Sequence, residues 1–304
     1  MRGLSQKFIT DLTTGVLHPF LKMVWEDDSL CLEIRENYIN IYYRGGSIAR
    51  IEETDRGYKR TFNANYTSLY REQIEKVEST DVLGWIDVIP YVKMEMDLWF
   101  HKHPKPEREF QQLILRENNS IAVAKDTDYS IVDLEYANSE IGSRFDMIGV
   151  KRIRDAADRK IPKEAQLSLM EVKYGDGALK GKAGIEKHIA DVWRFLTERD
   201  HYEKVLEEVE CIFRQKLELG LLKGVDAPIQ LNREKKPEFL LLLANHKPSN
   251  KILQIEISKI LSTEIYQELK EICDIKIAGA SFLGYGLYSA CMKELEEYVQ
   301  KSSF

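Results

Sequence analysis

The sequence predicts an α/β protein in which a mixed central sheet, flanked by helices, follows a β-rich N-terminal domain. From residue 104 onward, segments with helical spacing of apolar residues alternate with short apolar runs of strand length. One of these runs, EFLLLLANH (238–246), fits a central strand that is covered on both faces. Near the N-terminus, alternating Ile, Tyr and Leu surround Gly45-Gly46 in residues 30–53, which is typical of a β-hairpin.

Further N-terminal signals predict a helix and a linker. Residues 67–80 carry apolar side chains at helical spacing among charged ones. HKHPKPE (101–107) contains two prolines and paired basic residues, a composition typical of a linker. We place the domain boundary there. It divides the chain into an N-terminal domain of unassigned role, residues 1–102, and a second domain, residues 103–304.

The second domain alternates helices and strands in an order that builds one sheet. The predicted helices lie at 107–118, 184–199, about 202–219 and 260–273. The predicted strands lie at 129–137, 143–153, 167–173 and 238–246, with one or two more in 275–289. A helix, three strands and further helices and strands in this order predict a mixed sheet with helices packed against it.

The composition indicates a water-soluble protein of a reducing compartment. The net charge is −6, so a nucleic-acid partner would need a local basic surface. The four cysteines have no C-x-x-C spacing, which argues against a zinc site or a disulfide framework. The N-terminus lacks the pattern of a signal peptide, and the longest apolar run, 239–244, is too short to span a bilayer. We therefore predict a cytoplasmic protein with no membrane partner.

Three acidic residues and one lysine of the second domain lie at or near the ends of predicted elements. Glu107 begins the first helix, Asp146 lies in the second strand, and Glu171 and Lys173 lie near the end of the third. Residues i and i+2 of a strand point to the same face. Mg²⁺ binds oxygen ligands at ~2.1 Å and activates water for phosphodiester hydrolysis, and a neighbouring ammonium group stabilises the developing charge. This set therefore predicts a metal-dependent active site.

The same residues resemble the motif of the PD-(D/E)XK nuclease superfamily, whose members have a restriction-endonuclease-like core. Asp146 matches the first motif residue, with Phe145 in place of the proline in the family's name. Glu171, Val172 and Lys173 match the E-x-K motif. The resemblance implies that Lys173 positions the attacking water and stabilises charge in the transition state.

The resemblance covers about residues 107–200 and implies a metal-ligand set. Asp146 and Glu171 would bind Mg²⁺, with Mn²⁺ able to replace it. The carboxylate of the first core helix falls on Glu107, which would bind directly or through a water molecule. Glu109 is the competing residue, because it too lies one helical step from the core.

The resemblance also implies a nucleic-acid substrate, with DNA favoured over RNA, and a homodimer where both strands are cut. Residues 151–187 hold ten Lys and Arg against six Asp and Glu, and phosphate binding needs such a local surplus. The basic, glycine-rich segment 175–184 suits the close approach of a phosphate backbone. The predicted nucleic-acid-binding residues are Lys151, Arg152, Lys180, Lys182, Lys187 and His188.

Each feature also has a simpler interpretation. Glu171 and Lys173 could form a surface ion pair, Glu107 could be an ordinary first-turn acid, and His188 could be an ordinary histidine. The alternative function is a catalytically silent nuclease fold that binds or assembles through a partner protein or nucleic acid. A metal-independent hydrolase ranks last, because the sequence has no nucleophile motif such as G-x-S-x-G.

Overall fold

The computed structural model describes residues 2–120, 124, 126–138, 143–152, 164–246, 251–279, 287 and 291–300. Its second half contributes the strands β5 (Tyr129–Asn138), β6 (Ser143–Arg152), β7 (Glu164–Tyr174), β8 (Gln230–Leu231), β9 (Glu238–Ala244), β10 (Asp274–Gly279) and β11 (Lys293–Glu294). Among the described residues these form a seven-stranded sheet in the order β11-β10-β9-β7-β6-β5, with β8 paired to β7. Strands β5, β6 and β7 are antiparallel, whereas β7, β9 and β10 are parallel. The predicted mixed sheet is confirmed.

The strand β9 lies at the centre of this sheet, between β7 and β10. All seven of its residues are buried, as the predicted strand covered on both faces requires. It ends at Ala244, two residues before the end predicted from the apolar run 238–246. Of the last predicted region, 275–289, the described part is β10 and Leu287, and the remaining residues, 280–286 and 288–289, lie outside the described ones.

Helices cover both faces of the sheet. They are α5 (Pro106–Asn119), α6 (Ile185–Thr197), α7 (Arg199–Glu218), α8 (Lys251–Leu261), α9 (Glu264–Ile272) and α10 (Leu295–Gln300). The α5-side cluster includes Ile114, Leu115, Met147, Met170, Val172, Leu240 and Leu242. The α6-side cluster includes Phe145, Ile148, Leu169, Val192, Phe195, Leu241 and Leu243. Neighbouring residues of β7 and β9 thus enter opposite clusters, as strand geometry dictates.

The single helix predicted at 260–273 is two helices. Helix α8 begins at Lys251, nine residues before the predicted start, and ends at Leu261, whereas α9 begins at Glu264. Thr263 separates them, because its side chain accepts a hydrogen bond from the backbone N–H of Tyr266 and caps α9.

The N-terminal segment forms a second sheet. Its strands are β1 (Leu30–Ile34), β2 (Tyr38–Tyr43), β3 (Gly46–Thr54) and β4 (Gly57–Thr61), and they form an antiparallel sheet in this order. Arg44 and Gly45 join β2 to β3 with φ values of 51° and 75°. Positive φ at both central residues is the requirement of the tight hairpin turn that the two glycines predicted.

Helices of the same segment pack beside this sheet. They are α1 (Gln6–Thr13), α2 (His18–Glu26), α3 (Arg71–Glu75) and α4 (Gly84–Lys102). The helix predicted at 67–80 is reduced to α3, and the other three helices were not predicted. Even α4, which has 19 residues and contains Pro90, is not a membrane span: across the described chain, no helix has both the length and the apolar content to cross a bilayer.

The predicted domain boundary falls in a short connection. Helix α4 ends at Lys102 and α5 begins at Pro106. The α6-side cluster continues across this connection, since Ile41 of β2 and Leu241 of β9 belong to the same set of packed buried residues. The division into domains at residues 1–102 and 103–304 stays a prediction.

Candidate active site

Glu171 and Lys173 form a buried ion pair on β7. Their side chains are both 4% exposed, and Lys173 Nζ donates to Glu171 Oε1 over 2.7 Å. The intervening Val172 points to the other face, into the α5-side cluster. Because the pair is buried, it is not the exposed ion pair that the simpler interpretation assumed, and it needs a specific environment to offset desolvation.

His188 supplies part of that environment from α6. Its Nε2 atom lies 3.0 Å from Glu171 Oε1 and 3.0 Å from Lys173 Nζ, and 3.2 Å from the carbonyl oxygen of Ala183. Helix α6 begins right after Gly184, so its first turn carries this imidazole over the end of β7. The structure therefore brings a histidine, a carboxylate and an ammonium group to one point.

Asp146 reaches the same strand from β6. The pairing of β6 with β7 runs as far as Met147 opposite Met170. One residue further along β6, the Asp146 Oδ2 atom accepts the backbone N–H of Val172 over 2.8 Å. The carboxylate thus lies against the backbone between Glu171 and Lys173, and Asp146 remains half-buried.

The backbone around Asp146 is irregular. Asp146 and Glu135 lie between two paired steps of the β5–β6 hairpin, and Glu135 has a φ of 53°. This left-handed conformation costs a residue with a Cβ roughly 1–2 kcal/mol. Phe145 packs on Phe195 in the α6-side cluster, whereas Met147 packs in the α5-side cluster. Phe145 and Met147 are two residues apart and would face the same side of a regular strand, but they face opposite sides of the sheet. The alternation of side chains is therefore interrupted at Asp146, between them.

The start of α5 distinguishes the two candidate helix carboxylates. Glu107 interacts electrostatically with Lys173, Glu171 and His188. Glu109 instead pairs with Arg44 of the N-terminal hairpin over 2.9 Å. The helical phase thus directs Glu107 toward β7 and Glu109 away from it.

The three carboxyl groups have shifted pKa values, raised for Asp146 and Glu107 and lowered for Glu171. Burial raises the pKa of Asp146 well above its usual range, and the negative charges of Glu171 and Glu107 raise it further. Burial also raises the pKa of Glu107, against the attraction of Lys173. For Glu171 burial acts in the same direction, but His188 and Lys173 outweigh it and the pKa is lowered. Such crowding of acidic groups favours a cation.

The carboxylates of Asp146, Glu171 and Glu107 are chemically suited to Mg²⁺, although they do not form a complete ligand set. Carboxylate oxygens are the ligands that Mg²⁺ prefers. Over the residues that the structure describes, His, Cys, Asp and Glu side chains form no group of three or more with the spacing of a metal site. The Lys173 ammonium group is the cation that accompanies Glu171 here.

The glycine-rich segment after β7 leaves open space beside this site. Gly175 and Gly181 have φ values of 71° and 81°, and no described atom lies within 4 Å of a Cβ built at either one. Lys180 is exposed, and Lys187 is exposed and pairs with Asp191 on its own helix. The side chain of the predicted Lys182 is outside the described part, as are residues 153–163 of the basic segment.

Lys151 and Arg152 are not brought to this site. They lie five and six residues from Asp146 along β6, a distance of roughly 17–20 Å in a strand. Arg152 is 2% exposed and donates to the carbonyl oxygens of Ala124 and Thr127. Lys151 Nζ donates to the buried Glu238 over 2.8 Å. Both contacts support the sheet rather than face a ligand.

Glu238 makes folding stability depend on pH. Burial raises its pKa, but Lys151 and Lys276, at 2.8 and 2.6 Å, outweigh burial and lower it. Since the folded-state pKa lies below the unfolded value of about 4.3, the stabilisation is present above that pH and is lost as the pH falls through the folded-state pKa. We expect the difference in unfolding free energy between wild type and Glu238→Gln to stay constant above about pH 5 and to shrink below it. Urea unfolding across this range measures it, and a difference that persists at low pH would contradict the assignment.

A second histidine at the same sheet edge was missed. His246 Nδ1 lies 2.6 Å from Asp176 Oδ1, just beyond the ends of β9 and β7. The backbone N–H of Gly175 donates to the carbonyl oxygen of Ala244 over 2.8 Å and holds the C-terminal ends of β7 and β9 together. The sequence signal was the position of His246 right after a buried strand, because parallel strands present their carboxyl ends at one edge.

Comparison with known proteins adds no further assignment. The function has to be inferred from the site itself, because no family model, no curated protein and no solved structure matches this chain.

Proposed function

We propose that this protein is a Mg²⁺-dependent nuclease of the PD-(D/E)XK type, which hydrolyses phosphodiester bonds, with DNA as the substrate. The observation that carries the proposal is the meeting of Asp146, Glu171, Lys173 and Glu107 around the end of β7. Asp146 contacts the backbone of β7 between the two motif residues, and Glu107 interacts electrostatically with both of them. These residues come from three separate elements, so their convergence is a property of the fold rather than of a local sequence.

The residues have separate chemical roles in this mechanism. Mg²⁺, when bound, would polarise the scissile phosphate and lower the pKa of a coordinated water molecule. Asp146 and Glu171 would hold it, and Glu107 would bind directly or through a water molecule. Lys173 would donate to the attacking water and stabilise negative charge that develops on the phosphate. His188 would orient the Lys173 ammonium group from its position 3.0 Å away.

The open glycine-rich segment supports a polymeric phosphate substrate. The exposed Lys180 lies five residues before the start of α6, and the exposed Lys187 lies in its first turn, where backbone N–H groups favour anions. Glycines without a neighbour within 4 Å leave room for a sugar–phosphate backbone. The resemblance to the superfamily is the reason for proposing DNA rather than RNA as the substrate.

Cleavage assays test the proposal directly. Wild type is expected to cut single- or double-stranded DNA with Mg²⁺ or Mn²⁺ and to stop when EDTA removes the metal. Asp146→Asn is expected to lower the rate on the order of 10²–10³-fold, because it removes the charge of a proposed Mg²⁺ ligand, and the metal stabilises the charge that develops on the phosphate. Asp87→Asn, on the exposed face of α4, is the matched control and should cut like wild type. Equal trace activity in all three proteins would refute the proposal.

The alternative is a silent nuclease fold that binds nucleic acid or a partner protein. One observation favours it: the described residues contain no preformed group of three metal ligands. Calorimetric titration with Mn²⁺ separates the two functions, because only the nuclease requires metal binding that depends on both Asp146 and Glu171.

A further inference from the structure

Leu134, on the outer strand of the large sheet, has both backbone polar groups taken by side chains of the N-terminal segment. Strand β5 is the last strand of the sheet, and Leu134 pairs with Met147 on its inner side. The Leu134 N–H donates to Glu33 Oε2 over 3.2 Å, and its carbonyl oxygen accepts from Arg35 Nη2 over 2.7 Å. Glu33 and Arg35 thus act on this edge as a neighbouring strand would. We call these two residues the β5 clamp.

A buried set of charges fixes both clamp residues. Glu33 is 0% exposed and accepts from Lys216 Nζ of α7 over 2.7 Å. Arg35 is 5% exposed and pairs with Asp133, which also pairs with Arg2. Burying a charged group costs free energy unless the group is paired with an opposite charge. Each member of this network would lose its pairing if it moved, so the network holds Glu33 and Arg35 in defined positions.

The clamp lies next to the irregular step that carries Asp146. Leu134 immediately precedes Glu135, the left-handed residue that lies opposite Asp146 in the hairpin. Strained backbone of this kind persists only where the surrounding structure determines it. The β5 clamp binds Leu134, the residue just before this irregular step, from outside the sheet.

We propose that Glu33 and Arg35 are positioning residues that set the place of the Asp146 carboxylate through β5. The proposal rests on the proposed function, because it assigns the N-terminal segment a role in that site. The segment then serves as a brace for the hydrolytic centre. Neither clamp residue touches the substrate or the metal in this scheme.

One hydrogen bond reports on Asp146 without any activity assay. The Val172 N–H donates to Asp146 Oδ2, so its exchange with solvent measures whether the carboxylate stays in place. The N–H groups in the regular part of the β6–β7 ladder, where Leu169 pairs with Ile148, provide an internal reference. A role confined to global stability would change both sets together.

The test compares Arg35→Met with a matched arginine. Arg60 of β4 is also buried, lies over the Trp85 ring at 3.5 Å and donates to the carbonyl of Val77, but it does not contact β5 in any described interaction. Arg35→Met is expected to speed exchange of the Val172 N–H by at least about tenfold relative to the ladder reference. Its kcat should fall ~10- to 100-fold with KM little changed, as for a misplaced catalytic group. Arg60→Met should do neither.

The milder Arg35→Lys variant keeps the charge but cannot reach both Asp133 and the Leu134 carbonyl, so it serves if Arg35→Met does not fold. Unchanged Val172 exchange in a folded Arg35 variant would overturn the proposal, as would equal changes in the Arg35 and Arg60 variants. If wild type neither cuts DNA nor binds Mn²⁺, the proposed function fails, while the Val172 measurement still decides the role of the clamp.

Discussion

Replacing Lys173 by methionine is expected to lower the rate of DNA cleavage on the order of 10²–10³-fold while divalent-cation binding is retained. Methionine fills the space of the lysine stem but lacks the ammonium group that lies 2.7 Å from Glu171 and 3.0 Å from His188. The variant therefore loses the donor for the attacking water. Binding of Mn²⁺ should be as tight as in wild type or tighter, because Lys173 no longer competes for Glu171 Oε1.

Two measurements separate these effects. Single-turnover cleavage reports the chemical step, and calorimetric titration with Mn²⁺ reports metal binding. Lys204→Met, an exposed position of α7, is the matched control. If Lys173→Met kept its cleavage rate within about threefold of wild type, the assignment of Lys173 as a catalytic residue would be wrong.

Replacing Lys216 by methionine is expected to lower the free energy of unfolding by about 3–5 kcal/mol. Lys216 is 1% exposed and its ammonium group is the partner of Glu33 Oε1, which is 0% exposed. Removal of one partner leaves the other charge buried without its counter-ion. The pair also joins α7 to β1, through two residues that lie 183 positions apart in the chain.

Urea unfolding measures this effect, and a double variant isolates its cause. Glu33→Gln combined with Lys216→Met removes both charges and should recover part of the loss, since a glutamine oxygen can still accept the Leu134 N–H. Lys22→Met removes an exposed ion pair with Glu26 and should change the unfolding free energy by less than about 1 kcal/mol. A double variant less stable than Lys216→Met would contradict the explanation.

Periodicity predicted the large sheet well. The segments 129–137, 143–153 and 167–173 correspond to β5, β6 and β7 within a few residues at each end. Each of these strands has one or two faces buried in a continuous core. Its apolar residues therefore recur at the spacing of a strand, and this spacing can be recognised in the sequence. The same holds, at helical spacing, for α5 and α6.

Helices whose local sequence does not favour a helix of that length were missed or given wrong ends. Helix α4 contains Pro90, a residue that normally ends a helix, and only its packing shows that it continues. Helix α3 is shorter than the predicted helix at 67–80. In α4, tertiary packing overrides the preference of the chain at Pro90.

The site was predictable only in part. The E-x-K pattern and Asp146 could be found because their spacing in sequence reflects neighbouring strands. The choice between Glu107 and Glu109 depends on which side of α5 faces the sheet, and the sequence does not determine this. Arg152 was predicted to bind phosphate, but its partners Ala124 and Thr127 lie 28 and 25 residues away in the chain, and no pattern in the sequence indicates them.

The β5 clamp also limits how copies of this protein can assemble. The outer strand of an open sheet normally presents free N–H and C=O groups that another chain can pair with. At Leu134 those groups are already engaged by Glu33 and Arg35. A second copy could not extend the sheet through this residue without first displacing two buried charges. The contacts of Glu33 and Arg35 therefore protect this point of the sheet edge against pairing with a second copy.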